Sequence, residues 1–274
     1  MNEIKTLTEN HYYRPNLYED IINRLAELEV DLNNVNRNDI VGVDEFHVRG
    51  SQISKELAEM ANIKGSKVLD IGCGIGGPCR MLADEFDCET IGVDLSEEFI
   101  RTATKLSELV GLSNKTEFIC GDATKLPFKN KSFNAVWTQH VQMNILDKGK
   151  FYSEMHRVLE NNGTFIYYDI FKNSDEEVNY PMPWANEPKI SFLTRVNNME
   201  TILNQLGFSK IQSTNETNNG IVFFKKLLEK IKEFGPPKLG LNVLMGETTK
   251  SKIVNLLNGL KEGKIILQSG MYKK

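Results

Sequence analysis

Cysteine is scarce in this chain: Cys73, Cys79, Cys88 and Cys120 are four among 274 residues. They form no C-x-x-C pair, and no histidine stands from them at a metal-ligand spacing. The pattern therefore excludes a disulfide framework and a zinc site, and the thiols read as reduced. Long apolar runs are also missing; none approaches the ~20 residues that cross a bilayer. The opening MNEIKTLTEN lacks the apolar stretch of a secretory signal. Net basic charge is absent too, with 33 Lys and Arg against 37 Asp and Glu. The formal −4 leaves no electrostatic footprint for a nucleic acid or an anionic membrane. There is no internal repeat and no low-complexity segment. What remains is a soluble protein, expected in the cytoplasm, long enough for a sizeable core. Its expected partner is a small molecule, with no nucleic acid, no membrane span and no metal. Its oligomeric state is not legible.

What is present is a change of pattern at Lys67. Before it, Leu17 to Leu28 and Ser51 to Ile63 carry apolar residues at helical spacing, separated by the polar, Asn-rich DLNNVNRNDI, read as a loop. After it, short apolar runs alternate with helical segments. KVLDI, ETIGVD, TEFIC, FNAVWT and GTFIYYDIF read as strands, with helices between them. Ser96 and Asp147 stand as N-caps. Such alternation predicts an α/β fold with a parallel sheet covered on both faces. Beyond Phe171 the proline-rich YPMPWANEP reads as irregular, and a helix from about Thr194 to Leu206, a sixth strand at FSKIQSTNET, two more helices and a closing strand KIILQSGMY complete the pattern. The expectation is a Rossmann-like, seven-stranded, mostly parallel sheet with helices on both faces and a helical lid. It forms a single domain: an N-terminal helical cap (1–63), the core (64–216), a helical insertion (217–262) and the last strand (263–274).

The densest signal is VLDIGCGIGGPC, where Gly72, Gly74, Gly76 and Gly77 follow the first strand and open a helix. Glycines there permit positive φ and close approach of a ligand to backbone, and the helix start offers free N–H groups. A tight turn that binds nothing would not need so many. A dinucleotide would use the same turn, and the acids discriminate. Asp70 stands two residues before Gly72, where it can face an ammonium group and would repel a pyrophosphate. Asp94 ends the second strand, 22 positions after Gly72, and suits ribose hydroxyls of a nucleoside or of NAD alike. After the third strand, in GDATKLPF, Asp122 can accept from an adenine amino group while the Ala123 N–H donates to the ring. An amino acid joined to adenosine satisfies all three.

VLDIGCGIGG, GVDLS and GDATKLPF resemble the successive motifs of class I S-adenosylmethionine-dependent methyltransferases, over about Lys67 to Phe171. SFNAVWTQHVQMNI, HRVLENNGTFIYYDI, YPMPWA and GPPKLGLNVLMG resemble a narrower branch, over about Asp44 to Gly246. That branch holds the sarcosine/dimethylglycine-type enzymes and is similar to the ubiquinone/menaquinone-biosynthesis methyltransferases. Two positions depart from the family. Glu160-Asn161-Asn162-Gly163 replaces Lys-Pro-Gly-Gly, which Asn tolerates because it enters left-handed turns; Asn134 replaces an acid.

The resemblance implies S-adenosyl-L-methionine as cofactor. It implies Cys73 and Leu95 as further contacts beside the residues already named, and Gln139 as a contact to the cofactor's methionine end. Methyl transfer needs in-line alignment more than a protein nucleophile. An amine acceptor must still lose its proton before attack, and His140, after the fourth strand, is the candidate base, although holding a loop is an equal alternative. Arg49 is a candidate carboxylate fork; His47 reads as structural. Asn144, Tyr180 and Trp184 are candidate acceptor contacts, the aromatics through cation–π attraction, whereas Tyr168 reads as core packing.

The favoured acceptor, by resemblance, is a small amine of the glycine/sarcosine/dimethylglycine type; C- or O-methylation of a quinone-like ring is the alternative. An amine pocket should be small, closed and aromatic, whereas a lipid-like acceptor needs a broad apolar entrance. From other classes, an NAD-dependent oxidoreductase and a non-catalytic S-adenosylmethionine-binding module remain open.

Overall fold

In the computed structural model, which describes residues 2–274, four helices precede the first strand: α1 (Asn2–Tyr12), α2 (Leu17–Glu27), α3 (Arg37–Asp44) and α4 (Ser51–Ala61). Two of these escaped the sequence reading. DLNNVNRNDI is not wholly loop, because Asn36 caps α3 by accepting from the Asn38 N–H while Asp39 reaches back to the Asn36 N–H. That reciprocal cap starts a short helix inside polar sequence.

The core then alternates as expected: β1 (Lys67–Ile71), α5 (Gly77–Glu85), β2 (Glu89–Asp94), α6 (Glu97–Leu109), β3 (Thr116–Cys120), β4 (Phe133–Gln139), α7 (Lys148–Val158), β5 (Leu159–Lys172), α8 (Val196–Gln205) and β6 (Ser209–Asn215). Next come α9 (Thr217–Phe234), the short α10 (Asn242–Met245), α11 (Thr249–Lys261) and β7 (Ile265–Lys273). Ser96 and Asp147 cap α6 and α7 as anticipated, accepting from the N–H groups of Phe99 and Lys150.

The seven strands form one sheet in the order β3-β2-β1-β4-β5-β7-β6, with β7 antiparallel between β5 and β6. β1 lies central, and its apolar residues are buried on both faces, as a strand covered by helices on each side requires. Two apolar cores form on opposite faces. One joins α4, α5, α9 and α11 to the sheet around Trp137, Tyr168 and Trp184; the other joins α7 and α8 around Phe133, Phe165 and Tyr272. Each fully buried large side chain of this kind contributes about 1.5–3 kcal/mol. The two family departures fit the sheet. Asn162 takes φ 62° at the start of β5. Asn134 accepts the Lys67 N–H and donates to Glu160, both at 2.8 Å, tying β1 to β4 and β5.

A third core unites the N-terminal cap with the insertion: Leu17, Ile21 and Ile40 pack with Leu239, Val243 and Leu244. Gly42 meets the Leu239 carbonyl so closely that a Cβ would lie 2.5 Å from its oxygen. Cap and insertion thus close together over the carboxyl ends of the strands. Arg80 on α5 anchors the cap from below, paired with Asp44 and fully buried. Breaking such a buried pair on one side costs about 3–5 kcal/mol.

Candidate functional site

β1, β2 and β3 end side by side, and the glycine turn leaves β1 between them. Gly72 has φ 76°, and a Cβ there would lie 2.4 Å from Val141 Cγ2. Gly74 has φ 55° with open space where a Cβ would stand, and its N–H donates to Asp94 Oδ2 at 3.0 Å. Both positions are therefore closed to ordinary residues, one by contact and one by backbone conformation. Three carboxylates surround this turn. Asp70 is 2 % exposed and has only the Cys79 thiol, at 3.5 Å, as a side-chain partner. Burial pushes its carboxyl up to about 7 against that bond. Asp94 also accepts the Ser96 N–H at 2.9 Å, and burial pushes it up to about 6. Asp122 is different: burial raises it, but Lys5 and Thr124 outweigh burial and hold it below the usual carboxylate range. Lys5, on α1, forms an ion pair with it.

A cavity of about 220 Å³ opens from these strand ends and runs beneath the cap and the insertion. Asp70, Gly72, Cys73, Gly74, Asp94, Leu95, Asp122, Ala123, Gln139, His140, Asn144 and Trp184 all line it. The fold thus gathers twelve of the fourteen residues singled out from sequence.

Two do not reach it. Arg49 is turned away and neutralised, bidentate on Glu56 at 2.7 and 2.8 Å and paired with Glu216 at 3.1 Å. It is a tie between α4 and α9 rather than a fork for a ligand. Tyr180 is half-buried beside the first apolar core and lies outside the lining.

Several lining residues are already committed. Gln139 accepts the Trp137 Nε1–H at 2.8 Å and donates to Ser54 at 3.2 Å, with its amide nitrogen 3.1 Å from His47 Nε2, leaving its amide inside the protein. Asn144 donates to the carbonyls of Trp184 and Ile190 and accepts from Tyr12, so it braces the 180s loop against α1. Trp184 is 1 % exposed and donates to Ser191.

His140 sits at φ 54°, its backbone N–H on the Tyr168 carbonyl. Its Nε2 accepts the Val48 N–H at 3.1 Å, which fixes the proton on Nδ1, and Nδ1 is buried without a partner. Burial, with His47 adding, drives its pKa well below the ordinary histidine value. The lone pair a base would use is occupied, and the free group is a donor.

Sequence reasoning missed three contributors. Lys5, Thr8 and Tyr12 of α1 line the cavity, but their segment carries no apolar periodicity strong enough to announce a helix. Phe223, Phe224 and Leu227 of α9, with Met245, Ile253 and Leu256, form an apolar wall; the sequence announced a helical lid, but not which of its side chains line the cavity. Asp169 on β5 accepts the N–H groups of Val141 and Gln142 and holds the loop after β4.

Residues 69–167 match the family model described as a methyltransferase domain. Among curated proteins, a sterol 24-C-methyltransferase of Aspergillus fumigatus is 38 % identical over 114 residues, 41 % of this chain and 30 % of that protein. A phosphoethanolamine N-methyltransferase of Arabidopsis thaliana is 33 % identical over 121 residues, 44 % of this chain and 24 % of that protein. The chain thus spans a third or less of these relatives' length. Among solved structures, a geranyl diphosphate C-methyltransferase from Streptomyces coelicolor superposes with a TM-score of 0.70 at 13 % identity, over 96 % of this chain and 99 % of that one. A protein described as a sarcosine dimethylglycine methyltransferase from Galdieria sulphuraria superposes at 0.66 and 18 % identity, over 82 % and 86 %. These likenesses extend the fold beyond the matched motifs, through cap and insertion. Among the described residues no helix is long and apolar enough to cross a membrane. Strand order, glycine turn and family match agree: residues 69–167 form a class I S-adenosylmethionine-dependent methyltransferase domain.

Proposed function

We propose that the chain binds S-adenosylmethionine in this cavity and transfers its methyl group to a small molecule with an uncharged, apolar body. The observation that carries the cofactor half is the trio of carboxylates around the glycine turn. Asp70 is a buried acid with no cationic partner, and an ammonium group would supply one. Asp94 would hold ribose hydroxyls, and Asp122 with the Ala123 N–H would meet the adenine edge once Lys5 gives way. A diphosphate fits poorly: each phosphate charge ~4 Å from a carboxylate is opposed by about 4 kcal/mol at an effective dielectric constant near 20. The NAD-dependent reading loses support on that ground.

Bound there, the cofactor supplies an electrophilic methyl group on a sulfonium. The chain's own part is to hold, align and dry. Apolar side chains from α9 and α11 exclude water, and alignment by walls fixed on the sheet contributes up to about 7–11 kcal/mol in favourable cases. His140 Nδ1–H, buried without a partner, would donate to an acceptor oxygen brought against it.

The acceptor half rests on the far wall. Met143, Ile170, Phe224, Leu227, Met245 and Leu256 carry no charge, and carboxylates that would hold an ammonium are confined to other parts of the lining. This supports C- or O-methylation of an apolar acceptor over the small amine that the resemblance favoured. Purified protein incubated with methyl-labelled S-adenosylmethionine tests the proposal, with a panel of quinols, terpenoid and sterol alcohols and the glycine series. Label in the apolar panel alone supports it. Label in sarcosine or dimethylglycine alone overturns the acceptor assignment, and cofactor binding without transfer to any acceptor favours the binding module.

A further inference from the structure

At the junction of α1 and α11, beside the apolar end of the cavity, two cations stand together with no acid to answer them. Lys252 is 2 % exposed, and its ammonium has one partner, the Met245 carbonyl at a long 3.4 Å. Arg14 is half-buried; its Nη1 donates to the carbonyls of Tyr13 and His11 at 2.7 and 3.4 Å, and its Nε is buried with no partner at all. Among the described residues neither cation joins an ion pair. The groups that act on Lys252 are burial and Arg14, and on Arg14 burial alone. Glu247, the nearest acid in sequence on this side of α11, is exposed and pairs with neither. His11 adds no counter-charge either. Its Nε2–H donates to the Pro183 carbonyl at 2.9 Å, its Nδ1 is buried and unpartnered, and burial pushes its pKa down to about 4, so it stays neutral.

Burying a cation without a counter-ion is strongly unfavourable, and placing two side by side adds repulsion. An ammonium offers three donors and a guanidinium five; most of these are unused here. Gly246 leaves the guanidinium room, since even an added Cβ would lie 3.7 Å from Nη2.

We propose that Arg14 and Lys252 form a binding site for an anionic group, a carboxylate or a phosphate. The missing counter-charge is then the ligand's. The site adjoins the cavity wall: Pro183, whose carbonyl holds His11, lines the cavity, as do Met245, whose carbonyl holds Lys252, and Ile253, its neighbour. The anion has two possible sources, the acidic end of a ligand whose apolar body fills the cavity, or free phosphate.

The test compares wild type with Arg14→Gln and Lys252→Met by calorimetry and thermal unfolding at constant ionic strength. The probes are inorganic phosphate, decanoate, decyl phosphate and decanol, without cofactor. At least one anion is expected to bind wild type and raise its melting temperature. Each variant should weaken that binding about tenfold or more, the scale of one charge-assisted hydrogen bond, while decanol and S-adenosylhomocysteine bind as before. Binding of inorganic phosphate assigns the free ion; binding of only the acidic amphiphiles assigns a ligand's head group. Equal anion affinity in wild type and variants overturns the site, as does a wild type that prefers no anion over decanol. Lys252→Met removes a buried charge and carries the test alone if Arg14→Gln does not fold. The site does not depend on the methyl-transfer reading, because anion binding is measured without cofactor.

Discussion

Asp70→Asn isolates the group on which the cofactor reading turns. Its carboxyl titrates at about 7 in the folded protein against an ordinary value of 3.8, because burial disfavours its charge. The folded state therefore holds a proton that the unfolded chain gives up. Stability from this group is fully present below about pH 4 and is lost as pH rises through 7. At 1.36 kcal/mol per unit, a shift near three units amounts to on the order of 4 kcal/mol. Glu45, Asp94 and Asp169 are raised in the same direction by burial, so the wild-type curve alone does not isolate Asp70. The difference between wild type and Asp70→Asn does. Urea unfolding of the ligand-free proteins at pH 5, 6.5 and 8 should show the variant gaining on wild type as pH rises, by a few kcal/mol across that range. Adenosylhomocysteine, whose ammonium favours the charged form, should reverse the order, binding wild type more tightly at pH 8 than at pH 5. The variant should lose about tenfold or more in affinity at pH 8. A stability difference that is flat with pH, or unchanged affinity in the variant, refutes the reasoning.

Asp94→Ala should weaken adenosylhomocysteine binding through lost ribose hydrogen bonds, by about tenfold per bond to the charged group; calorimetry showing unchanged affinity removes that assignment. His140→Asn keeps a residue that accepts positive φ. It should lower turnover more than cofactor affinity, and the wild-type rate should show no limb near pH 6.5, since His140 stays neutral there; a limb that vanishes in the variant restores the base. Lys5→Met frees Asp122 from an ion pair that is about a third exposed. Such pairs are worth up to about 1 kcal/mol, so cofactor affinity should rise up to about fivefold, and a fall would make Lys5 part of the binding site.

Much was legible in the sequence because local chemistry decided it. The period of the apolar runs marked the strands, Ser96 and Asp147 marked helix starts, and the glycine turn with Asp70, Asp94 and Asp122 marked the cavity. In each case a backbone conformation or a strand end leaves little freedom. Tertiary structure alone decided what the free side chains do. Arg49 was a plausible fork until Glu56 and Glu216 were found against it. His140 was a plausible base until the Val48 N–H was found on its lone pair. The wall that favours an apolar acceptor is built from α9 and α11, and Lys5 meets Asp122 across 117 positions. Periodicity tells which face of a helix is buried, but burial is non-directional. Which elements meet over the strand ends, and which charges are left unanswered there, is settled only when the chain closes on itself.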